Sequence, residues 1–385
     1  MKKFARILGY IIAFLLLIVL LLFLFDYGYV LRGAKVTYLS GHTTAYIDDY
    51  THFPNRKIEA GKDQPWPQTK DYNSAEPTEK LQELNKELGT AAFLIIKNDS
   101  IWFEKYYDEY GPKSKTNSFS MAKSIVSALL GKAIMEGYIK SLDEPVADFY
   151  PQFDPALTVG DLSSMASGLN WDESYYNPFG QTAKAYFGKN IKKLILNLKA
   201  TGEPGKKFKY LSGNVELLGM VISKATGKSL SEYLSENFWK PMGMHQDALW
   251  QIDSRKSGME KAYCCIASNA RDFARFGKLY EHDGNWNGRQ LLDSAFVKKS
   301  IHPRFEESPQ YGYGFWLSDY REKHIFYMRG ILGQYVIVIP EDHLIIVRLG
   351  QDLLKKAEGE QHAPDFFMYI DESYKMLNDA AKPES

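Results

Sequence analysis

Cysteine is almost absent from this chain of 385 residues: there are two, Cys264 and Cys265, side by side. Neighbouring cysteines satisfy ordinary disulfide geometry with difficulty, so neither a disulfide scaffold nor a structural zinc site is expected. Net charge is missing as well, since 47 basic residues stand against 47 acidic ones. No global field then draws nucleic acid or an anionic surface, and nucleic acid is not an expected partner. The eight histidines form no His-Glu-x-x-His pair, and there is no Gly-x-Ser-x-Gly elbow. Gly227-Lys228-Ser229 lacks the glycine five residues earlier that a phosphate loop requires. Metal, elbow-triad and nucleotide chemistry therefore have no support, and neither metal nor cofactor is expected. No internal repeat breaks the chain into equivalent units.

Hydrophobic residues are plentiful at 45%, with 14% aromatic, enough to bury the core of one large domain or two small ones. The N-terminus is the one long apolar run. Lys2, Lys3 and Arg6 precede an uninterrupted stretch from Ile7 to Phe25, about 19 residues or roughly 28 Å as a helix, which matches a bilayer core. A cleaved signal has a shorter apolar region and a small-x-small cleavage site, whereas Phe23-Leu24-Phe25-Asp26-Tyr27 follows here. The expectation is an uncleaved single-pass anchor in the cytoplasmic membrane, with residues 1–6 inside and the body outside.

Residues 26–79 carry scattered prolines and many aromatics with little periodicity, and read as an extended stalk or as a strap packed on the main domain. A domain over 80–385 follows. Thr78 to Leu88 reads as a helix, and Ala91 to Lys97 and Ser100 to Tyr107 read as strands joined by an Asn98-Asp99 turn. The stretch from Ser118 to about Ile301 is largely helical. Tyr311 to Leu317, His324 to Arg329, Gln334 to Ile339 and His343 to Gly350 are β-rich, and Phe366 to Asn378 fits a last helix. Strands at both ends with helices between predict an α+β fold. One antiparallel sheet is assembled from distant segments and flanked by helices, with an inserted, mostly helical region and one membrane helix ahead of it.

Ser120-Met121-Ala122-Lys123 is the only Ser-x-x-Lys, and it opens the helix-forming run Ser124 to Leu130. Residues three apart share a helix face, so the Lys123 amine reaches back to the Ser120 hydroxyl. A serine is a poor nucleophile until a base takes its proton, and the first turn of a helix offers free N–H groups to an oxyanion. Asn117 and Ser118 are placed to cap that turn, and Gly137 to end the helix. Acyl transfer also requires a proton for the leaving group. Tyr210, on a loop ahead of the amphipathic run Val215 to Ile222, is placed to relay it. Ser-x-x-Lys and a loop tyrosine also occur on ordinary surfaces. Trp171, Tyr175 and Tyr176 line either a pocket or a core.

Taken in order, several blocks resemble the penicillin-recognising serine hydrolases, in the branch with class C β-lactamases, D-alanyl peptidases, esterases and 6-aminohexanoate-dimer hydrolases. They are Ser120 to Lys123, Leu142 to Val146 with Tyr150-Pro151, and Thr158 to Leu169. Further on come Tyr210 to Asn214 with Leu217-Leu218-Gly219, Ala270 to Gly277, Tyr311 to Trp316 and the glycine-rich strand turn at Gly330. The resemblance spans roughly Thr90 to Asn378. It implies that Ser120 is the acylated nucleophile, Lys123 its base partner and Tyr210 the tyrosine of the Tyr-x-Asn element. The backbone N–H groups of Ser120 and Ile331 would form the oxyanion hole. Ser212 stands where that element has asparagine, as in the esterase and amide-hydrolase branch. Met328-Arg329-Gly330 replaces Lys-Thr-Gly, removing the lysine that anchors a β-lactam or peptide carboxylate, with Arg329 as its substitute. The implied activity is cleavage of a small-molecule or peptide amide or ester rather than of β-lactams. The alternatives are a penicillin-binding-like module that recognises cell-wall peptide with little turnover, and a purely structural membrane protein.

Overall fold

The computed structural model describes residues 1–380. Its centre is a six-stranded sheet, antiparallel throughout, in the order Ser100–Tyr106, Thr90–Lys97, Leu344–Gly350, Gln334–Ile339, Ile325–Gly330, Trp316–Ser318. The two N-terminal strands thus join the C-terminal ones through the pairing of Thr90–Lys97 with Leu344–Gly350, whose β-branched and aromatic residues are buried on both faces. Asn98 and Asp99 make the first hairpin with left-handed backbone (φ 48° and 61°), as a two-residue turn of matching twist requires. On one face pack Glu79–Glu87, capped by the Thr78 hydroxyl, and Pro364–Ala380; Ala270–Glu281 packs on Leu344–Gly350 and Gln334–Ile339. The stretch read as a strand from Tyr311 is shorter than expected, keeping only Trp316–Ser318 in the sheet with an isolated bridge from Tyr311 to Trp316. Left-handed Gly314, where a Cβ would stand 2.5 Å from that of Ser127, forces the bend.

Between the N- and C-terminal strands in sequence come the helices Met121–Met135 and Ser212–Thr226, which pack together. Met121–Met135 is buried almost all round, which explains its continuous apolar sequence. A second, four-stranded sheet runs Asn55–Ile58, Ala248–Gln251, Ile266–Ser268, Thr116–Asn117. Its first strand comes from residues 26–79, which are folded onto the domain and not extended. Ile47, Phe53 and Ile58 are buried, and Trp66 donates its indole N–H to the Arg271 carbonyl at 3.0 Å. Ahead of them the helix Lys2–Leu24 has no buried residue, and Gly28–Val36 packs on Gln181–Phe187.

Candidate active site

Ser120 is the residue just before the helix Met121–Met135, and its side chain caps no backbone group. The preceding backbone is turned hard: Phe119 adopts φ 44°, a left-handed conformation rare for an aromatic residue. Asn117 holds that turn by accepting the Phe119 N–H at 2.9 Å. Lys123 then comes back over Ser120 as the three-residue spacing predicts, its Nζ donating to Ser120 Oγ at 2.8 Å. The same nitrogen donates to the Tyr263 carbonyl, also at 2.8 Å, and Lys123 is only 2% exposed. Rings of Tyr210 and Tyr263 flank it, with centroids 5.1 and 5.8 Å from Nζ. A serine oxygen, an amine and a phenol ring, separated by up to 90 positions in sequence, thus come together.

Tyr210 sits two residues before Ser212–Thr226 and stacks on Trp316 (5.2 Å, 34°), with Tyr311 edge-on at 6.0 Å. The Arg329 guanidinium lies 3.3 Å over the opposite partner ring, Trp316, and donates to the Gln361 carbonyl. Arg329 is therefore at the cleft wall beside Tyr210. Gly330 is pressed against the chain leading to Ser120: a Cβ there would stand 2.4 Å from the Ser118 carbonyl oxygen. Ile331, next in sequence, begins a tight turn. Ser212 donates both its N–H and its hydroxyl to Glu173, at 2.6 Å each, and the Tyr175 hydroxyl reaches the same carboxylate at 2.6 Å. Trp171 is in the core, where Gly213 leaves room for its ring, whereas Tyr176 is 97% exposed.

Three acidic groups went unnoticed in the sequence. Glu173 ties the loop before Gln181–Phe187 to the start of the helix after Tyr210. Glu216, 1% exposed, accepts the Ala262 N–H at 2.7 Å, and its other oxygen is buried without a partner. Burial pushes its carboxyl up to about 8, only partly offset by the Ala262 and Tyr263 N–H groups. It thereby fixes the backbone whose Tyr263 carbonyl orients Lys123. Asp49, fully buried, accepts from Asn117 Nδ2 at 3.0 Å, the Tyr186 hydroxyl at 2.5 Å and Gln251 Nε2 at 3.2 Å. Burial raises it, and burial likewise lowers nearby Lys261 to about 7. Acidic three-residue capping patterns and helix periodicity signal none of the three.

Cys264 and Cys265, directly after Tyr263, are bonded to each other despite the difficult geometry of neighbours. Left-handed backbone at Cys265 (φ 78°) accommodates the ring, which closes no longer loop and so forms no scaffold. Asp99, Glu281 and His282 bring ligand-type atoms within 4.8 Å of one another. They lie at the hairpin turn, already engaged with Lys278 and His343, and not in the cleft.

The mixed α+β fold and the meeting of Ser120, Lys123 and the Tyr210 ring point to one family. The chain belongs to the Beta-lactamase family, which it matches over residues 78–364. It is 24% identical over 236 residues to the 6-aminohexanoate-dimer hydrolase of Paenarthrobacter ureafaciens, covering 57% of this chain and 59% of the relative. It is also 24% identical over 178 residues to Protein flp of Staphylococcus aureus (strain COL), 42% of this chain and 35% of the relative. The matched region thus spans about a third to three fifths of the length of these relatives. Among solved structures, the "Putative 6-aminohexanoate-dimer hydrolase from Bacillus anthracis" superposes with a TM-score of 0.73 at 23% identity, covering 90% of this chain and 95% of that one. EstCE1, a hydrolase with promiscuous acyltransferase activity, does so with a TM-score of 0.60 at 13% identity, covering 78% and 96%.

Proposed function

We propose that the protein is a serine hydrolase that cleaves an amide or ester through an acyl-enzyme on Ser120. The observation that carries this reading is the buried Lys123 amine, 2.8 Å from Ser120 Oγ and held from behind by the Tyr263 carbonyl. As the base, the Lys123 amine keeps one N–H on that carbonyl and turns a lone pair to Ser120 Oγ in place of the N–H it donates at rest. The serine proton passes to Nζ as Oγ attacks the substrate carbonyl carbon. The backbone N–H groups of Ser120 and Ile331 take the oxyanion. Collapse of the tetrahedral intermediate expels an amine or alcohol, which collects a proton by way of the Tyr210 hydroxyl. Water then attacks the ester on Ser120, loses a proton to the same groups and releases the acid.

Arg329, beside Trp316 and Tyr210, serves as the cation for a carboxylate or other polar substrate end, and Ser212, Tyr175, Tyr176 and Gly330 border the reacting groups. The relatives named for amide hydrolysis favour an amide substrate. The helix Lys2–Leu24, 23 residues long, apolar from Ile7 on and with no buried residue, acts as an uncleaved anchor that keeps the domain outside the cytoplasmic membrane. Fluorophosphonate labelling with burst release from an activated ester tests the chemistry. Rapid turnover lost in Ser120→Ala is the expected result; slow stoichiometric labelling would instead identify a binding module with little turnover. Alkaline extraction tests the anchor, and release of the full-length chain would overturn it.

A further inference from the structure

Large apolar side chains are rarely left exposed without a reason when they cluster. Among the described residues beyond the N-terminal 25, eight are exposed: Tyr27, Tyr38, Leu39, Met135, Tyr138, Tyr175, Tyr176 and Phe179. Six of the eight fall on two segments, 27–39 and 175–179, and these two segments touch. The Tyr27 and Phe179 rings meet edge-on at 5.5 Å, and Asp26 pairs with Lys184 at 2.7 Å. Phe187 fills the space left by Gly33, where a Cβ would stand 3.1 Å from its ring. The bilayer-length helix ends at Leu24 and the next helix starts at Gly28, so no free stalk separates the domain from the end of that helix.

The same loop that carries Tyr175, Tyr176 and Phe179 builds the cleft. Glu173 holds both polar groups of Ser212, two residues after Tyr210, and the Tyr175 hydroxyl rests on the same carboxylate. Tyr175 and Phe179 are four residues apart, a span of at most about 14 Å. One face of a short loop therefore lies on the Ser120 cleft and the other on the end of the apolar helix. The exposed tyrosines and leucine of these segments are side chains that prefer the membrane–water boundary. Asp26 and Lys184 neutralise each other there, and the other charged side chains of the two segments are the cations Arg32, which donates to the Phe187 and Asp253 carbonyls, and exposed Lys35.

We propose that segments 27–39 and 175–179 form an apolar collar seated in the membrane interface, and that the cleft takes its amide or ester from an amphiphile held in the bilayer. The substrate part rests on the serine-hydrolase reading above, and the collar on the anchor reading alone. Full-length protein in phosphatidylcholine vesicles supplies the test. Leu39→Cys or Tyr176→Cys would be labelled with an environment-sensitive fluorophore, the native cysteines being bonded to each other and buried. Tyr138→Cys is the control, since Tyr138 is exposed but packs on Tyr233 instead. Spin-labelled lipid is expected to quench positions 39 and 176 severalfold more than 138, in the Ser120→Ala background as well. Equal quenching would overturn the collar.

The second measurement compares a short-chain ester in solution with a long-chain ester embedded in the vesicles. Combined Tyr38→Ser, Leu39→Ser and Phe179→Ser should leave the soluble rate within about twofold and lower the vesicle-borne rate by about tenfold or more. Equal effects on both rates would overturn the interfacial substrate. A wild-type protein inactive on both esters, with quenching intact, would overturn the hydrolase and the substrate together while supporting the collar.

Discussion

Replacing Glu216 with glutamine should change the pH dependence of stability in a way that its fold alone would not. In the native protein its carboxyl is raised from 4.5 to about 8, chiefly by burial and then by the charges of Asp253 and Glu260. A folded pKa above the unfolded one means that the native state holds a proton which the unfolded chain has released between about pH 4.5 and 8. Stability from this group is therefore complete below pH 4.5 and is lost as pH rises through 8. The shift corresponds to about 5 kcal/mol over the whole window, or about 1.4 kcal/mol per pH unit. Glutamine keeps an oxygen for the Ala262 N–H but adds amide hydrogens where Oε1 already lacks a partner, costing about 1–3 kcal/mol at pH 5. Glu216→Gln should thus be less stable than wild type at pH 5 and more stable at pH 8. Taking the difference between the two proteins cancels the opposite slope of Lys261, whose lowered pKa of about 7 makes stability rise with pH above neutrality. Chemical denaturation of the detergent-solubilised chain at several pH values supplies the measurement. A difference that stays constant from pH 5 to 8 would refute the assignment of a protonated acid behind the Tyr263 carbonyl.

Lys123→Ala should lower the rate of Ser120 acylation by about a hundredfold or more while the protein stays folded, read by fluorophosphonate labelling beside a melting curve; unchanged kinetics would remove Lys123 from the chemistry. Tyr210→Phe keeps the ring on Trp316 and deletes only the hydroxyl, so kcat is expected to fall by about 10²–10⁴ with little change in melting temperature. Equal kcat would assign the leaving-group proton elsewhere. Asp49→Ala leaves Asn117, Tyr186 and Gln251 without their shared acceptor and Lys261 without its counter-charge. A loss of about 3–5 kcal/mol is expected by denaturation, with slower labelling of the folded fraction because Asn117 no longer fixes the Phe119 turn.

Local pattern carried much of the fold. Apolar, β-branched strand runs at both ends, the Asn98-Asp99 turn and the Thr78 cap are properties of short segments, and each formed within a residue or two of its expected bounds. The meeting of Ser120 and Lys123 is local too, since three residues make just under one helical turn. The strand expected from Tyr311 shortened because Gly314 is pressed against Ser127, a contact between residues far apart in the chain. The cysteine bridge depended on a left-handed residue that sequence spacing does not reveal.

The sequence alone settled which residues share a helix face, where strands begin, and that one N-terminal helix is apolar over bilayer length, because each follows from bonding and side-chain direction within a few residues. Only the tertiary structure decided what stands behind the cleft: Tyr263 reaches Lys123 across 140 positions, and Asp49 reaches Asn117 across 68. Such pairings have no sequence period. They exist because a buried amine or carboxylate must find partners wherever the packed chain brings them.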